Sequence, residues 1–323
     1  MRLAGGTCVP IEPSQPSKRI CSSLHDINVK RVITDETEPY RFGEFEHFSM
    51  RDVHWRAHPF GQPSNGINGH GPGCRENERS HILFTSGSTG QPKPVQITEG
   101  GIIRLANSTP VTPLLKSDHV AAFNNPGFDL SLFEIWVPLL CGATIVVIPK
   151  DIVTDPGRLP TSLIETQVSV SIVPTALFNI VVSVSPWTFQ GLRHVITAGE
   201  AANSRVMQAV LENRPPQHLW NAYGPTEGTT MVTMSEVTLQ DALTQRISIG
   251  RAIGKTEIFR LDGDLNKIQE PGISGEICIA GPGKSPGYVN RQRDNKERFI
   301  GMKHPKNGRD SVIQLYRTGD LGQ

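Results

Sequence analysis

Between residues 82 and 237 two kinds of apolar pattern alternate along the chain. Short Val- and Ile-rich blocks predict strands at 82–85, 120–123, 143–148, 168–173, 194–197 and 219–222. Apolar residues at helical spacing predict helices at 101–107, 130–140, 158–165, 175–182 and 204–211. Strand and helix taken in turn predict an α/β fold of layered, largely parallel sheets flanked by helices. Upstream, a small-residue turn enters a short strand before Pro13, followed by a helix at 16–25 and a strand at 29–33. Residues 36–80 lose periodicity and read as a long irregular loop. After residue 238 come short strands and Gly/Pro turns, with strands expected at 245–250, 257–260, 275–280 and 316–319. The division expected is an α/β core over 1–237 and a small β-rich unit of the same core over 238–323.

Length and composition narrow this picture without changing it. A chain of 323 residues has a prior of roughly two domains of about 150 residues. Hydrophobic content of 37% and charged content of 20% fit a globular protein. A net charge of +1 gives no ground for a nucleic-acid partner or an anionic membrane surface. The five cysteines show no Cys-x-x-Cys spacing, which points to a reducing compartment without a zinc ribbon. Residues 1–10 lack the apolar core of a signal peptide. Stretches 132–149 and 168–186 are apolar, but Glu134, Pro138 and Gly142 interrupt the first, and four serines and Pro174 the second. Both read as buried helix and strand pairs rather than membrane spans, so a cytoplasmic protein is expected. Five of the ten histidines (His47, His54, His58, His70, His81) fall in or beside the irregular loop. His54 and His58 could form a metal pair, but no helix pattern supports it, and a solvated loop is the favoured reading.

In sheets of this kind ligands bind beyond the carboxyl ends of the strands. The loops to inspect are therefore 86–90, 124–129, 198–201 and 223–227. The first offers Thr85, Ser86, Gly87, Ser88, Thr89 and Gly90, closed by Lys93. Glycines for close backbone approach, hydroxyls and one ammonium suit a polyphosphate. The Gly-Lys-Ser/Thr ending of a P-loop and the Gly-x-Gly-x-x-Gly fingerprint are both absent, so a plain polar loop carries equal weight at this point. Asn221 to Glu227 gathers Tyr223 to cover a base, Thr226 for phosphate and Glu227 for Mg2+. Asp129 precedes an apolar helix, either as N-cap or facing a ligand cation. Gly199 and Glu200 follow a strand, and Asp320 follows a turn glycine, suited to a ribose diol.

Together, in this order, these motifs resemble the adenylate-forming superfamily, and within it the adenylation domains of nonribosomal peptide synthetases. The resemblance covers nearly the whole chain: Leu3 to Glu12, Phe84 to Lys93, Asn221 to Glu227, Gly275 to Gly281 and Tyr316 to Leu321. It implies a carboxylate attacking the α-phosphate of ATP, loss of pyrophosphate, and capture of the acyl-adenylate by a thiol. Thr85, Ser86, Ser88, Thr89 and Lys93 would hold the β- and γ-phosphates. Gly199, Glu200 and Tyr223 would frame adenine, and Asp320 would bind the ribose. Thr226 and Glu227 would hold the α-phosphate and Mg2+. Asp129 would pair with a substrate α-ammonium, which implies an α-amino acid. Leu130, Phe133, Ser171, Ile196, Ala198, Ala222, Thr230 and Met231 would line an apolar, medium-sized side-chain pocket. The cofactors implied are ATP and Mg2+, with phosphopantetheine on a partner carrier domain.

The chain departs from the family pattern in places. Pro94 stands where a glycine is usual, Glu99 where a histidine is, and the segment from Gly283 to Tyr288 is altered. The front of the family's fold and its small C-terminal domain, with a lysine for the substrate carboxylate, are expected to be missing. Alternatives are therefore an impaired ATP-binding remnant of such a synthetase, and an acyl- or aryl-CoA ligase.

Overall fold

The structure, a computed structural model, describes residues 6–34, 45–50, 76–85, 91–306 and 309–323. Side chains between 304 and 310 are outside that description, as are His54, His58, His70 and Cys74 of the irregular stretch.

Helix α1 (Ser17–Asp26) is followed by the parallel strands β1 (Arg31–Thr34) and β2 (Glu46–Ser49). Strands β3 (Arg79–Thr85) and β4 (Lys93–Thr98) then pair antiparallel and lead into α2 (Glu99–Ser108). Thr98 caps α2 by accepting the Gly101 N–H, and Glu99 lies in the helix's first turn, where a negative charge suits the dipole.

The predicted alternation follows as β5 (His119–Ala122), α3 (Leu130–Cys141), β6 (Thr144–Val147), α4 (Lys150–Val153), α5 (Leu159–Glu165), β7 (Val170–Pro174), α6 (Thr175–Val184), β8 (His194–Ala198), α7 (Ser204–Glu212) and β9 (His218–Tyr223). Five strands run parallel in the order β9-β8-β7-β5-β6. Neighbouring residues of one strand enter different cores. Ile172, Ile196 and Trp220 pack with α2 and α3, whereas Val173, Val195 and Leu219 pack with α5, α6 and α7. A sheet buried on both faces needs continuous apolar runs, which is why these strands show no polar alternation. The apolar stretch at 132–149 is α3, a left-handed turn at Gly142 (φ 75) and β6; that at 168–186 is β7 and α6. No helix among the described residues is long and apolar enough to cross a membrane.

Strand β10 (Thr233–Glu236) extends the sheet antiparallel to β9, followed by α8 (Leu239–Leu243) and the short β11 (Arg251–Ala252). The chain then builds a four-stranded antiparallel sheet, β12-β13-β15-β14, from β12 (Glu257–Leu261), β13 (Gly275–Ala280), β14 (Phe299–Lys306) and β15 (Arg309–Gly322), with α9 (Gln292–Arg298) before β14. The strand expected at 245–250 does not form. Its ladder shifts to Arg251–Ala252, because Gly250 (φ 84) passes so close to Met234 that a Cβ there would lie 1.9 Å from the Met234 carbonyl oxygen. Several elements were not expected from the sequence, among them β2, β4, β10, β14, α4, α8 and α9. Pro94 lies inside β4, and β15 runs far beyond the four residues expected of it.

One buried group ties α2 to the loop after β9. Arg104 of α2 is 4% exposed, and its Nη2 donates to the carbonyls of Gly228, Thr229 and Met231 at 2.8–2.9 Å. Burial without a carboxylate lowers its pKa to about 10, so it stays cationic near neutrality. Arg104→Ala would leave those carbonyls buried and unpaired. The expected loss is about 3 kcal/mol or more of folding stability, read as a lower urea midpoint.

Candidate active site

The carboxyl ends of β5, β7, β8 and β9 open on one cavity of about 740 Å3. Asn124, Phe128 and Asp129 come from the loop after β5, Pro174 ends β7, Gly199 and Glu200 follow β8, and Thr226 and Glu227 follow β9. Thr85 and Lys93 enter from β3 and β4, where they face each other across the ladder. Ser86, Gly87, Ser88, Thr89 and Gly90, which connect them, lie outside the described residues. A second cavity of about 500 Å3 shares Gly199, Glu200, Gly224 and Pro225 with the first and adds Tyr223 and Asp320.

Asp129 precedes α3, but its side chain makes no capping bond. Its Oδ2 instead accepts the Thr226 hydroxyl at 2.9 Å, while its backbone carbonyl accepts Thr230 Oγ1 at 2.8 Å. Asp129 thus occupies the N-cap position while its carboxylate is engaged by Thr226 instead of the helix. Burial pushes the Asp129 carboxyl up to about 6, with the charge of Glu227 adding to it and the Thr226 bond opposing it. The loop carrying Asp129 is held from behind by Glu134 of α3, whose carboxylate accepts the backbone N–H of Phe123 and Asn124 and the Asn124 amide at 2.6–3.3 Å. Burial raises Glu134 to about 7 against those bonds.

Glu227 is 5% exposed, and its Oε1 accepts the Tyr288 hydroxyl at 2.5 Å. Tyr288 lies 3.4 Å, hydroxyl to hydroxyl, from Tyr316 of β15. Burial, with the Glu227 charge beside them, holds both phenols far above their ordinary pKa, so each remains protonated. Lys93 Nζ meets Asp294 Oδ1 of α9 at 2.6 Å and lies 5.3 Å from the centre of the Tyr288 ring. Pro94 costs β4 a donor, but its carbonyl accepts the Val289 N–H at 2.9 Å, which draws the Tyr288 segment alongside Lys93.

On the far wall Tyr223 donates its hydroxyl to Asp320 Oδ2 at 2.7 Å. Gly199 has φ 106, and no atom lies within 4 Å of where its Cβ would stand. That bare backbone and Tyr223 both border the second cavity, which leaves open space at its wall.

The substrate-lining residues divide. Leu130, Ala198 and Thr230 face the large cavity, and Ala222 the second. Phe133, Ser171, Ile196 and Met231 are fully buried, and the three apolar ones pack in the same core as Leu130 and Ala198. The Ser171 hydroxyl has no hydrogen-bond partner. Arg104 and Asp294 were not singled out from sequence, and Glu134, Tyr288 and Tyr316 were named there without a role in the site. The signal available for Arg104 and Glu134 was a charged residue inside an amphipathic or apolar helix pattern; for Asp294, Tyr288 and Tyr316 the partner is distant in sequence.

Two carboxylates, a lysine and a bare-backbone cleft beside a tyrosine gather where the carboxyl ends of the parallel strands open, the usual place of a ligand site in such sheets. The chain belongs to the AMP-binding enzyme family, whose model matches residues 2–289. It is 41% identical over 318 residues to the nonribosomal peptide synthetase asaC of Aspergillus flavus, covering 98% of this chain and 31% of that protein. It is 35% identical over 327 residues to the aldehyde reductase lnaA of the same organism, covering 98% of this chain and 30% of that protein. The chain thus spans under a third of the length of these relatives. Among solved structures, the NpsA N-terminal subdomain of Klebsiella oxytoca in complex with 3-hydroxybenzoyl-AMSN matches with a TM-score of 0.84 at 27% identity, covering 98% of this chain and 77% of that one. Holo-PA1221, with adenylation and PCP domains, matches at 0.85 and 28%, covering 99% and 53%. The fold is that of the N-terminal subdomain of adenylation domains.

Asp129 gives a stability test with a definite sign. A carboxyl raised from 3.8 to about 6 binds its proton more tightly folded than unfolded, so stability falls as pH rises between those values. The displacement corresponds to roughly 3 kcal/mol. Asp129→Asn is expected to be more stable than wild type at pH 7 and to lose that advantage below pH 4, measured by urea unfolding at both pH values.

Proposed function

We propose that the chain activates an α-amino acid as its acyl-adenylate, for transfer to the phosphopantetheine thiol of a carrier domain. The observation that carries this reading is Asp129: a carboxylate at the cavity wall that does not cap its helix and is tied to the loop bearing Thr226 and Glu227. It supplies the anion that a substrate α-ammonium needs in a partly dry site.

The residues fit the nucleotide and its metal. The two adjoining cavities accept a base and ribose on one side and a phosphate chain on the other. Gly199, Glu200 and Tyr223 frame the base and Asp320 the ribose hydroxyls. Thr85 and Lys93, with Ser86, Gly87, Ser88, Thr89 and Gly90 between them, hold the β- and γ-phosphates. Among the described residues no three His, Cys, Asp or Glu side chains form a metal cage. Mg2+ does not need one, since it usually binds through one or two carboxylates and substrate phosphates; Glu227 is the residue that would hold it. When bound, ATP and Mg2+ supply the adenylyl group and neutralise its phosphates.

The residues of this chain then position the reacting groups. Asp129 fixes the ammonium and so aims the substrate carboxylate at the α-phosphate. Thr226 orients the phosphate oxygens. A carboxylate oxygen forms the new bond to phosphorus as the bond to the bridging oxygen breaks, and pyrophosphate leaves with that electron pair. Most of the acceleration comes from placement and charge. Leu130, Ala198 and Thr230, backed by Phe133, Ser171, Ile196, Ala222 and Met231, favour an uncharged side chain. The need for ATP and a carrier domain fits a cytoplasmic setting.

A second reading is activation of an aryl acid. The solved NpsA complex carries a 3-hydroxybenzoyl group, whose parent acid has no α-ammonium. The names of relatives also suggest two fates for a thioester product, peptide-bond formation and reduction to an aldehyde.

Pyrophosphate exchange on the purified chain separates these readings. Exchange should depend on an α-amino acid with an apolar side chain, and Asp129→Asn should lower it by about 100-fold, since one partner of a buried ion pair is gone. Exchange with benzoates, unaffected by that substitution, supports the aryl reading instead. ATP binding without exchange for any acid marks an impaired remnant.

A further inference from the structure

Helix α9 carries two opposite charges one turn apart, Asp294 and Arg298, and their surroundings differ. Asp294 is committed to Lys93: the pair is 2.6 Å apart, with side chains only 29% and 12% exposed. Lys93 is also covered by the Tyr288 ring. The cation expected to meet the phosphate chain is therefore already neutralised from within the protein.

Arg298 borders the same cavity beside Glu227, Tyr316 and Thr318. Its Nη1 makes one hydrogen bond, a long 3.5 Å contact with the Arg317 carbonyl. Among the described residues no carboxylate lies within ion-pair distance of it. A guanidinium offers a planar fork of donors that matches phosphate oxygens two at a time. At a concave site without a counter-ion, Arg298 is half of an ion pair whose other half comes from outside.

We propose that Arg298 binds the polyphosphate of the nucleotide, and that Asp294 is the internal counter-ion Lys93 gives up when that polyphosphate enters. This rests on the nucleotide-site reading above. Asp294 then opposes binding twice: it holds Lys93 back, and once left behind it repels phosphate. Arg298 has no such competitor and is free to make the first contact with the incoming anion.

Calorimetric titration of the full chain with ATP, AMP and inorganic pyrophosphate, in buffer with Mg2+, tests this. Arg298→Ala should weaken ATP and pyrophosphate by about tenfold or more and leave AMP within about twofold. Arg298→Gln, which retains a neutral donor and more of the side chain than alanine, should behave alike and guards against a packing defect. Asp294→Asn should tighten ATP and pyrophosphate by about threefold or more, because it frees Lys93. Wild-type ATP affinity in both Arg298 variants overturns the inference alone, as does an equal loss for AMP. A wild-type chain that binds neither ATP nor pyrophosphate overturns the nucleotide-site reading together with it.

Discussion

The Arg104 guanidinium is the tie on which the site depends. It lies in the core with no carboxylate and is solvated by protein carbonyls instead. Those carbonyls belong to a loop that would not hold its shape alone. Thr229 and Thr230 both adopt left-handed φ, at 58 and 70, which β-branched residues strongly resist. Neighbouring glycines make the arrangement possible. A Cβ on Gly101 would lie 2.6 Å from the Thr229 hydroxyl, and one on Gly283 would lie 2.3 Å from Arg104 Nε. With the loop fixed, Thr226 reaches Asp129 and Glu227 reaches Tyr288. A core cation thereby sets the position of two carboxylates at the surface of the cavity.

The second constraint is that the site is shared between two sheets. The parallel sheet brings Asp129, Gly199, Tyr223 and Glu227, while the C-terminal unit brings Tyr288, Asp294, Tyr316 and Asp320. The polar contacts that close the seam at the site include Tyr223 to Asp320, Tyr288 to Glu227 and Lys93 to Asp294. Tyr288 and Tyr316 also pack into the core that holds Leu130 and Ala198. At the site Lys93 finds its counter-ion across the seam in Asp294, whereas Arg193 and Asp118, and Arg317 and Glu276, pair within their own parts.

Much of this was legible from the chain. The parallel strands announce themselves because burial on both faces demands unbroken apolar runs, and the positions of the site loops follow from sheet topology. Antiparallel partners were less visible. β4 holds Pro94 within its pattern, and β14 is pinned by cross-strand register with β15 rather than by local preference. The expected strand at 245–250 failed for a tertiary reason, the close approach of Gly250 to Met234. Among site residues, those on post-strand loops were found, since topology marks them. Asp294 and Arg104 were not, because their meaning lies in partners up to 201 residues away. Phe133, Ser171, Ile196 and Met231 were matched by position, yet the packing sets them behind the cavity wall rather than on it.

Strand β15 carries Tyr316, Thr318 and Asp320 at every second residue, all bordering the two cavities. The pairing with β13 shifts between Arg317 and Leu321, around Gly319 at φ 85, so the regular ladder orients Tyr316 while Thr318 and Asp320 stand on an irregular stretch. Point substitutions in β15 therefore alter the site one group at a time. A single residue inserted or deleted in the ladder with β14 would turn Tyr316 away from the site, whereas the irregular stretch that follows can take up a change before it reaches Asp320. Tyr316 is therefore the group of this strand that the sheet itself aims, and Asp320 the one that the Gly319 turn aims.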